Sequence, residues 1–222
     1  MTARLVAKLG HEFTDPSLLE HALMHRSYAA ERDGEDDNER LEFLGDAVLQ
    51  LVVTDHLFAN YPSLREGTMA KVRAACVNRD ELASIARQVD LGRHIVLGHG
   101  EEASGGRAKV SILADAMEAV IAAVYLDGGL GAARQVVLDL WRPLIEARAA
   151  EPGKRDYKTR LQEALAVRGF RPHYRVTESG PDHEKEFTAE LEIDGRSYGV
   201  GTGRSKKEAE QEAASRALDE LA

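Results

Sequence analysis

Leu41-Glu42-Phe43-Leu44-Gly45-Asp46-Ala47-Val48-Leu49-Gln50-Leu51-Val52-Val53 is an apolar run that carries two carboxylates and no cation. Leu41, Leu44, Val48, Leu51 and Val52 recur with the period of an amphipathic helix. Glu42 and Asp46 stand one turn apart. With Glu39 the spacing becomes i, i+3, i+7, which puts all three acids within about a 60° sector of one face. Leu49 and Val53 lie on or beside that face, so the acids meet apolar surroundings. The stretch from Ser111 through Leu126 repeats the theme, with Asp115 and Glu118 as its only charges, again at i, i+3.

Holding carboxylates away from water costs several kcal/mol each, and four close together also repel one another. Neither window contains Lys or Arg, so a bound divalent cation is the natural compensation. Oxygen-only ligation selects a hard ion, Mg²⁺ with Mn²⁺ as a substitute, over Zn²⁺. Two such carboxylate pairs can hold one or two ions, the arrangement that clamps and hydrolyses phosphodiesters. The competing reading is a solvated acidic seam, or carboxyls with raised pKa values that share protons; solvated faces, however, usually mix both signs of charge.

Outside these helices the sequence sets broad limits. The 222 residues are 43% hydrophobic with one cysteine and a net charge of −9. That is enough for a core and excludes wholesale disorder. No apolar run approaches the roughly 20 residues of a membrane span, and the first ten residues lack the blocks of a signal peptide, so the expected location is cytoplasmic. Cys76 has no partner for an internal disulfide and is read as a small buried apolar residue. Ala149-Ala150-Glu151-Pro152-Gly153-Lys154-Arg155 suits a linker, giving domains at 1–149 and 156–222 joined by 150–155. Residues 1–150 hold 16 Lys+Arg against 23 Asp+Glu, so most of the acid excess belongs to the first part. Helix starts are expected at Asp15-Pro16, at Ser63 with Glu66 as a capping box, and at Asn78.

The second part changes texture to an α-β-β-β-α order. A helix from Asp156 to Arg168 precedes strands at Tyr174–Glu178, Phe187–Ile193 and Ser197–Val200, and a helix from Lys206 to Leu221 follows. Asp194-Gly195 signals a hairpin turn. Ser205 and Glu208 form a capping box at the last helix, while Lys206 and Lys207 occupy its first turn, where cations oppose the helix dipole. Free N–H groups and two ammonium groups at that end suit phosphates. Gly201 and Gly203 just upstream are read as sites where backbone can approach a ligand.

These residues carry a family resemblance. Asn38-Glu39-Arg40-Leu41-Glu42-Phe43-Leu44-Gly45-Asp46 resembles the signature of the ribonuclease III family, and Leu113-Ala114-Asp115-Ala116-Met117-Glu118-Ala119 resembles its second acidic motif. His21 to Tyr28 and Gly98 to Arg107 also resemble that family. Residues 156–222 resemble a double-stranded RNA-binding domain, with Gly180-Pro181-Asp182-His183 between the first two strands and Gly203 to Ala209 opening the last helix. The fold implied is an all-α endonuclease domain followed by an α+β RNA-binding domain. The implied function is endonucleolytic cleavage of double-stranded RNA to 5′-phosphate and 3′-hydroxyl ends by a homodimer, with ribosomal RNA precursors as substrates and some messenger and transfer RNA processing. By resemblance Glu42, Asp46, Asp115 and Glu118 ligate Mg²⁺. Asp46 and Glu118 are tied most closely to the chemistry, and Glu39 assists substrate or product contacts. Gln162 and His183 are each expected to meet a minor groove, and Lys206 with Lys207 to hold phosphates between them, over about 16 bp.

Weaker signals are set aside. His21 and His25 have the i, i+4 spacing of a zinc pair without a third ligand, and packing with hydrogen bonding is preferred. Gly98 to Arg107 lacks the ending of a nucleotide-binding loop and is expected to be a mobile connection. Trp141 is read as helix core and Tyr157 as structural. Two other functions compete with the nuclease: a protein that binds duplex RNA without cutting it, using the acidic helices only to dimerise, and a metal-free ribonuclease with His21 and His25 as acid and base.

Overall fold

In the first part of the chain, apolar residues at helical spacing build a bundle around one central helix. The structure is a computed structural model that describes residues 3–32, 36–150, 157–180 and 185–221. The helices are α1 (Ala3–Leu9), α2 (Pro16–Ala22), α3 (Arg26–Ala29), α4 (Glu39–Asn60), α5 (Glu66–Cys76), α6 (Arg79–Gln88), α7 (His99–Ala103) and α8 (Val110–Ala150), with 3-10 turns at Leu91–Arg93 and Gly106–Ala108. The chain divides into two compact units, Met1–Pro152 and Gly153–Ala222. Residues 151–155 of the expected linker, and His183, lie outside the described residues.

α8 is buried on nearly every side from Ile112 to Val124, leaving Asp115 and Glu118 as the charged residues in that stretch. α4 buries the stripe Leu41, Gly45, Val48, Leu49, Val52, Val53, His56 and Leu57; of the expected stripe, Leu41, Val48 and Val52 are buried, whereas Leu44 is half-buried and Leu51 is exposed. Gly129, at φ 73°, breaks α8. Just before the break, the Asp127 carboxylate accepts from the backbone N–H groups of Thr14 and Asp15 at 3.0 and 2.8 Å. These bonds hold its pKa below the usual carboxylate range.

Two of the expected helix starts form. Asp15 accepts from Ser17 N–H with Pro16 at the first helical position, and Asn78 accepts from Glu81 N–H. The Ser63 capping box does not form: the Leu64 N–H bonds back to the Tyr61 carbonyl in a turn, and α5 starts only at Glu66. Gly98 to Arg107, expected as a mobile connection, instead contains α7 and a 3-10 turn. The Arg107 guanidinium pins it by donating to the carbonyls of Gly92 and Ile95, a bond pattern that glycine content alone does not reveal. Cys76 is fully buried, and burial pushes its thiol up to about 12. Trp141 is buried as core, its indole N–H donating to the Cys76 carbonyl at 3.1 Å.

The second unit holds α9 (Tyr157–Ala166), strands β1 (Pro172–Ser179), β2 (Glu186–Ile193) and β3 (Arg196–Gly203), and α10 (Lys206–Leu221). The strands form an antiparallel sheet in the order β1-β2-β3. Asp194 and Gly195, at φ 51° and 76°, make the hairpin turn. The Ser205 hydroxyl accepts from Glu208 N–H at 3.2 Å, and the Glu208 carboxylate reaches back to Arg204 N–H at 2.8 Å, one residue beyond the expected capping-box partner.

Gly201 and Gly203 serve a different purpose from the one expected. A Cβ at Gly201 would collide with the Ala209 carbonyl and the Ala213 amide, and one at Gly203 would lie 2.8 Å from the Ala209 amide. With Gly199 they form a small-residue track into which Ala209, Ala213 and Ala217 of α10 settle, so the close approach is helix on strand, not ligand on backbone. Replacing Gly201 with Ala should therefore destabilise this unit by about 1–3 kcal/mol. Urea unfolding followed by NMR should show an earlier transition for the second unit and an unmoved one for the first.

Candidate active site

The two acidic helices meet where one of them lacks a side chain. A Cβ at Gly45 would overlap the Glu118 carbonyl oxygen. The absence of that atom lets α4 lie directly on α8 beside the acids of both. Glycine inside a helix costs about 1 kcal/mol relative to Ala, and here the cost brings the two carboxylate pairs together. Asn38, buried at the head of α4, fixes the register: its side chain donates to the Ala22 carbonyl at 3.0 Å and its backbone N–H to that of Met24 at 3.0 Å.

Carboxylate oxygens of Glu42, Asp115 and Glu118 lie within 4.8 Å of one another. Asp46 stands beside this trio but turns to Gln50, whose amide donates to both its oxygens at 2.9 Å. Burial pushes the Glu118 carboxyl up to about 8, reinforced by the charges of Asp46, Glu42 and Asp115. Burial also raises Glu42, with Asp115 and Glu39 adding to it, and raises Asp115. Glu39 is more exposed and pairs with Arg26 at 3.4 Å.

A cleft of about 340 Å³ opens on two of the trio, with Glu42 and Asp115 in its wall alongside His25, Glu39, Glu101 and Lys109. Lys109 is committed to Glu101 at 2.5 Å. Arg26 and Arg79, from outside the acidic helices, draw the carboxyl pKa values down, but burial outweighs them. The trio thus has neither a directly bonded cation among the described residues nor enough solvent. Its donors are oxygens only, which fits a hard divalent ion.

His21 and His25 do not form a pair. The His21 imidazole bonds the Asp37 carbonyl at 2.7 Å, whereas His25 faces the cleft. Nδ1 of His25 accepts from Ser27 N–H at 3.2 Å, and burial lowers its pKa. Gly45, His25, Arg26, Arg79, Glu101 and Lys109 were not singled out for this site from sequence. A glycine between Leu44 and Asp46 in an otherwise strong helix was the available signal for Gly45; the others come from α3, α6, α7 and their flanks, whose approach to the acids no periodicity encodes. In the second unit Gln162 on α9 and Lys206 and Lys207 at the start of α10 are exposed, as a nucleic-acid contact requires.

Residues 15–144 match the family described as Ribonuclease-III-like, and residues 157–221 match the double-stranded RNA binding motif. The chain is 57% identical to Ribonuclease 3 of Streptomyces coelicolor over 95% of its own length and 76% of the relative's. It is 49% identical to Ribonuclease 3 of Caldanaerobacter subterraneus over 100% of its own length and 98% of that protein's. The nuclease domain of ribonuclease III from Campylobacter jejuni superposes with a TM-score of 0.61 at 43% identity, covering 64% of this chain and 97% of that one. A helical nuclease fold with half-buried acids, joined to a double-stranded RNA-binding fold, is thus the class of molecule present. The chain belongs to the ribonuclease III family. It is an endoribonuclease acting on double-stranded RNA, with the family's requirement for a divalent metal ion.

The packing yields a first prediction. Gly45→Ala should push α4 off α8, cost about 1–3 kcal/mol of stability and reduce RNA cleavage more than 10-fold; thermal melting and a gel-based cleavage assay read the two effects. The raised carboxyl yields a second. Between pH 4.5 and 8 the unfolded chain's Glu118 is ionised while the folded one stays protonated, so chelator-treated protein should lose stability as pH rises through that window. Glu118→Gln should flatten that slope in melting curves recorded across pH.

Proposed function

We propose that the chain is a Mg²⁺-dependent ribonuclease III whose site is Glu42, Asp46, Asp115 and Glu118, and that it cuts duplex RNA to 5′-phosphate and 3′-hydroxyl ends. The convergence of Glu42, Asp115 and Glu118 on one half-buried point supports this reading. A divalent ion held there supplies charge neutralisation for the phosphate and activation of the attacking water. The chain's own part is to place oxygens on two packed helices, where Gly45 sets their spacing, and to keep them poorly solvated and mutually repelling, a load that a bound cation or a proton relieves. Asp46, leaving Gln50, completes the set with Glu118. Glu39 at the exposed edge contacts substrate or product.

Residues 1–149 act as the catalytic domain and 156–222 as the RNA-binding domain, with Gln162, His183, Lys206 and Lys207 on the duplex. These contacts read A-form shape and 2′-hydroxyls rather than bases. An ion in the acid cluster also explains how the more acidic half of the chain approaches a polyanion. The homodimer finds support in an unpartnered apolar face of α4: Phe43, Leu51 and Phe58 are 82%, 53% and 74% exposed and fall within about an 80° sector. The Campylobacter jejuni nuclease domain has structural flexibility in a region involved in dimer formation. No helix among the described residues is long and apolar enough to cross a membrane. The proposed enzyme is cytoplasmic and acts on ribosomal RNA precursors and on some messenger and transfer RNAs.

A long RNA duplex incubated with the protein should be cut in Mg²⁺ and left intact in EDTA, giving 5′-phosphate and 3′-hydroxyl ends by end-labelling. Glu118→Gln should bind the duplex and leave it uncut. Cleavage that survives EDTA with cyclic phosphate ends would overturn the metal mechanism, and binding without cleavage by the unaltered chain would favour the non-cutting alternative.

A further inference from the structure

One nitrogen of His25 is spoken for and the other is not. The Ser27 backbone N–H donates to Nδ1 at 3.2 Å. A backbone amide can only donate, so Nδ1 carries the lone pair. The Ser27 hydroxyl lies 2.9 Å from the same nitrogen and accepts from Gly98 N–H at 2.9 Å, which leaves its proton for Nδ1. Two donors at Nδ1 place the ring proton on Nε2. The ring lines the cleft with Glu42 and Asp115, and no hydrogen bond to Nε2 is formed among the described residues. Of its acidic neighbours, Glu101 is engaged with Lys109 and Ser104 and Glu39 with Arg26, while Asp115 belongs to the acid trio.

We infer that the Nε2–H of His25 donates to a phosphate oxygen of the RNA strand being cut, making His25 a substrate-contacting residue of the nuclease reaction. The inference rests on the reading of the acidic cleft as the active site. A neutral donor suits this position. A lysine or arginine there would pair with the carboxylates, as Lys109 does with Glu101, and compete for the oxygens that the metal needs. A neutral imidazole binds an anionic oxygen without doing so. The same tautomer argues against general-base chemistry by His25, because its lone pair is turned away from the cleft.

Asparagine and glutamine separate the two ends of the ring. His25→Asn keeps a carbonyl oxygen able to cap Ser27 N–H but loses the distal donor, whereas His25→Gln carries an amide nitrogen out to about the Nε2 position. Single-turnover cleavage of a short RNA duplex in Mg²⁺ should fall about 10- to 100-fold in His25→Asn, with the melting temperature and the Mg²⁺ concentration for half-maximal rate unchanged. His25→Gln should recover part of the loss. A stereospecific phosphorothioate at one phosphate of the cut strand should slow the wild-type protein and lose its effect in His25→Asn. Long-range ¹H–¹⁵N spectra of the free protein should show the Nε2–H tautomer. Wild-type rates in His25→Asn, a shifted Mg²⁺ requirement that accounts for the loss, or phosphorothioate effects identical in the two proteins would each overturn the contact. Failure of the unaltered chain to cut any duplex would instead remove the nuclease reading on which the contact rests.

Discussion

The catalytic half of this molecule depends on one close approach, the Gly45 backbone against the Glu118 carbonyl. A helix wall with a Cβ at that point would stand away from its neighbour, and the acids of α4 and α8 would each meet solvent separately. Contact at the glycine instead forces Glu42, Asp115 and Glu118 into one poorly solvated volume. The repulsion and desolvation appear as the raised carboxyl of Glu118. The site is therefore under electrostatic load before any ligand arrives, and relief of that load favours cation binding. The fold supplies the load by packing, since α8 is buried almost all round and cannot turn its acids outward.

The same device appears in the second unit with a different result. Gly199, Gly201 and Gly203 strip one strand of side chains so that α10 can lie close, and alanines on the helix complete the match. No acids are gathered there. The approach fixes instead where α10 begins, and with it the exposed placement of Lys206 and Lys207. In both units glycine sets a distance between elements, and the chemistry follows from which side chains flank the contact.

Much of this was legible in the sequence because the relevant patterns are local. The period of α4, the paired acids and the change to an α-β-β-β-α order follow from spacing alone, and Asp194-Gly195 from the backbone demands of a tight turn. The illegible parts depend on tertiary partners. Ser63 looked like a cap because nothing nearby reveals the Tyr61 turn that delays α5. Gly98 to Arg107 looked loose because the carbonyls that hold Arg107 lie in another segment. His25 was set aside as half of a false zinc pair, since only the fold shows that its neighbour at i−4 faces elsewhere. The glycines of β3 were read for a ligand when the nearest atoms belong to α10.

The indole of Trp141 has a practical consequence. It is the sole tryptophan of the chain, sealed in the core of the first unit and bonded to the Cys76 carbonyl. Intrinsic emission excited at its absorption edge therefore watches the helical bundle alone. The sheet-containing unit, with tyrosines but no indole, is silent in that channel, so one optical signal can follow the first unit without labelling or dissection.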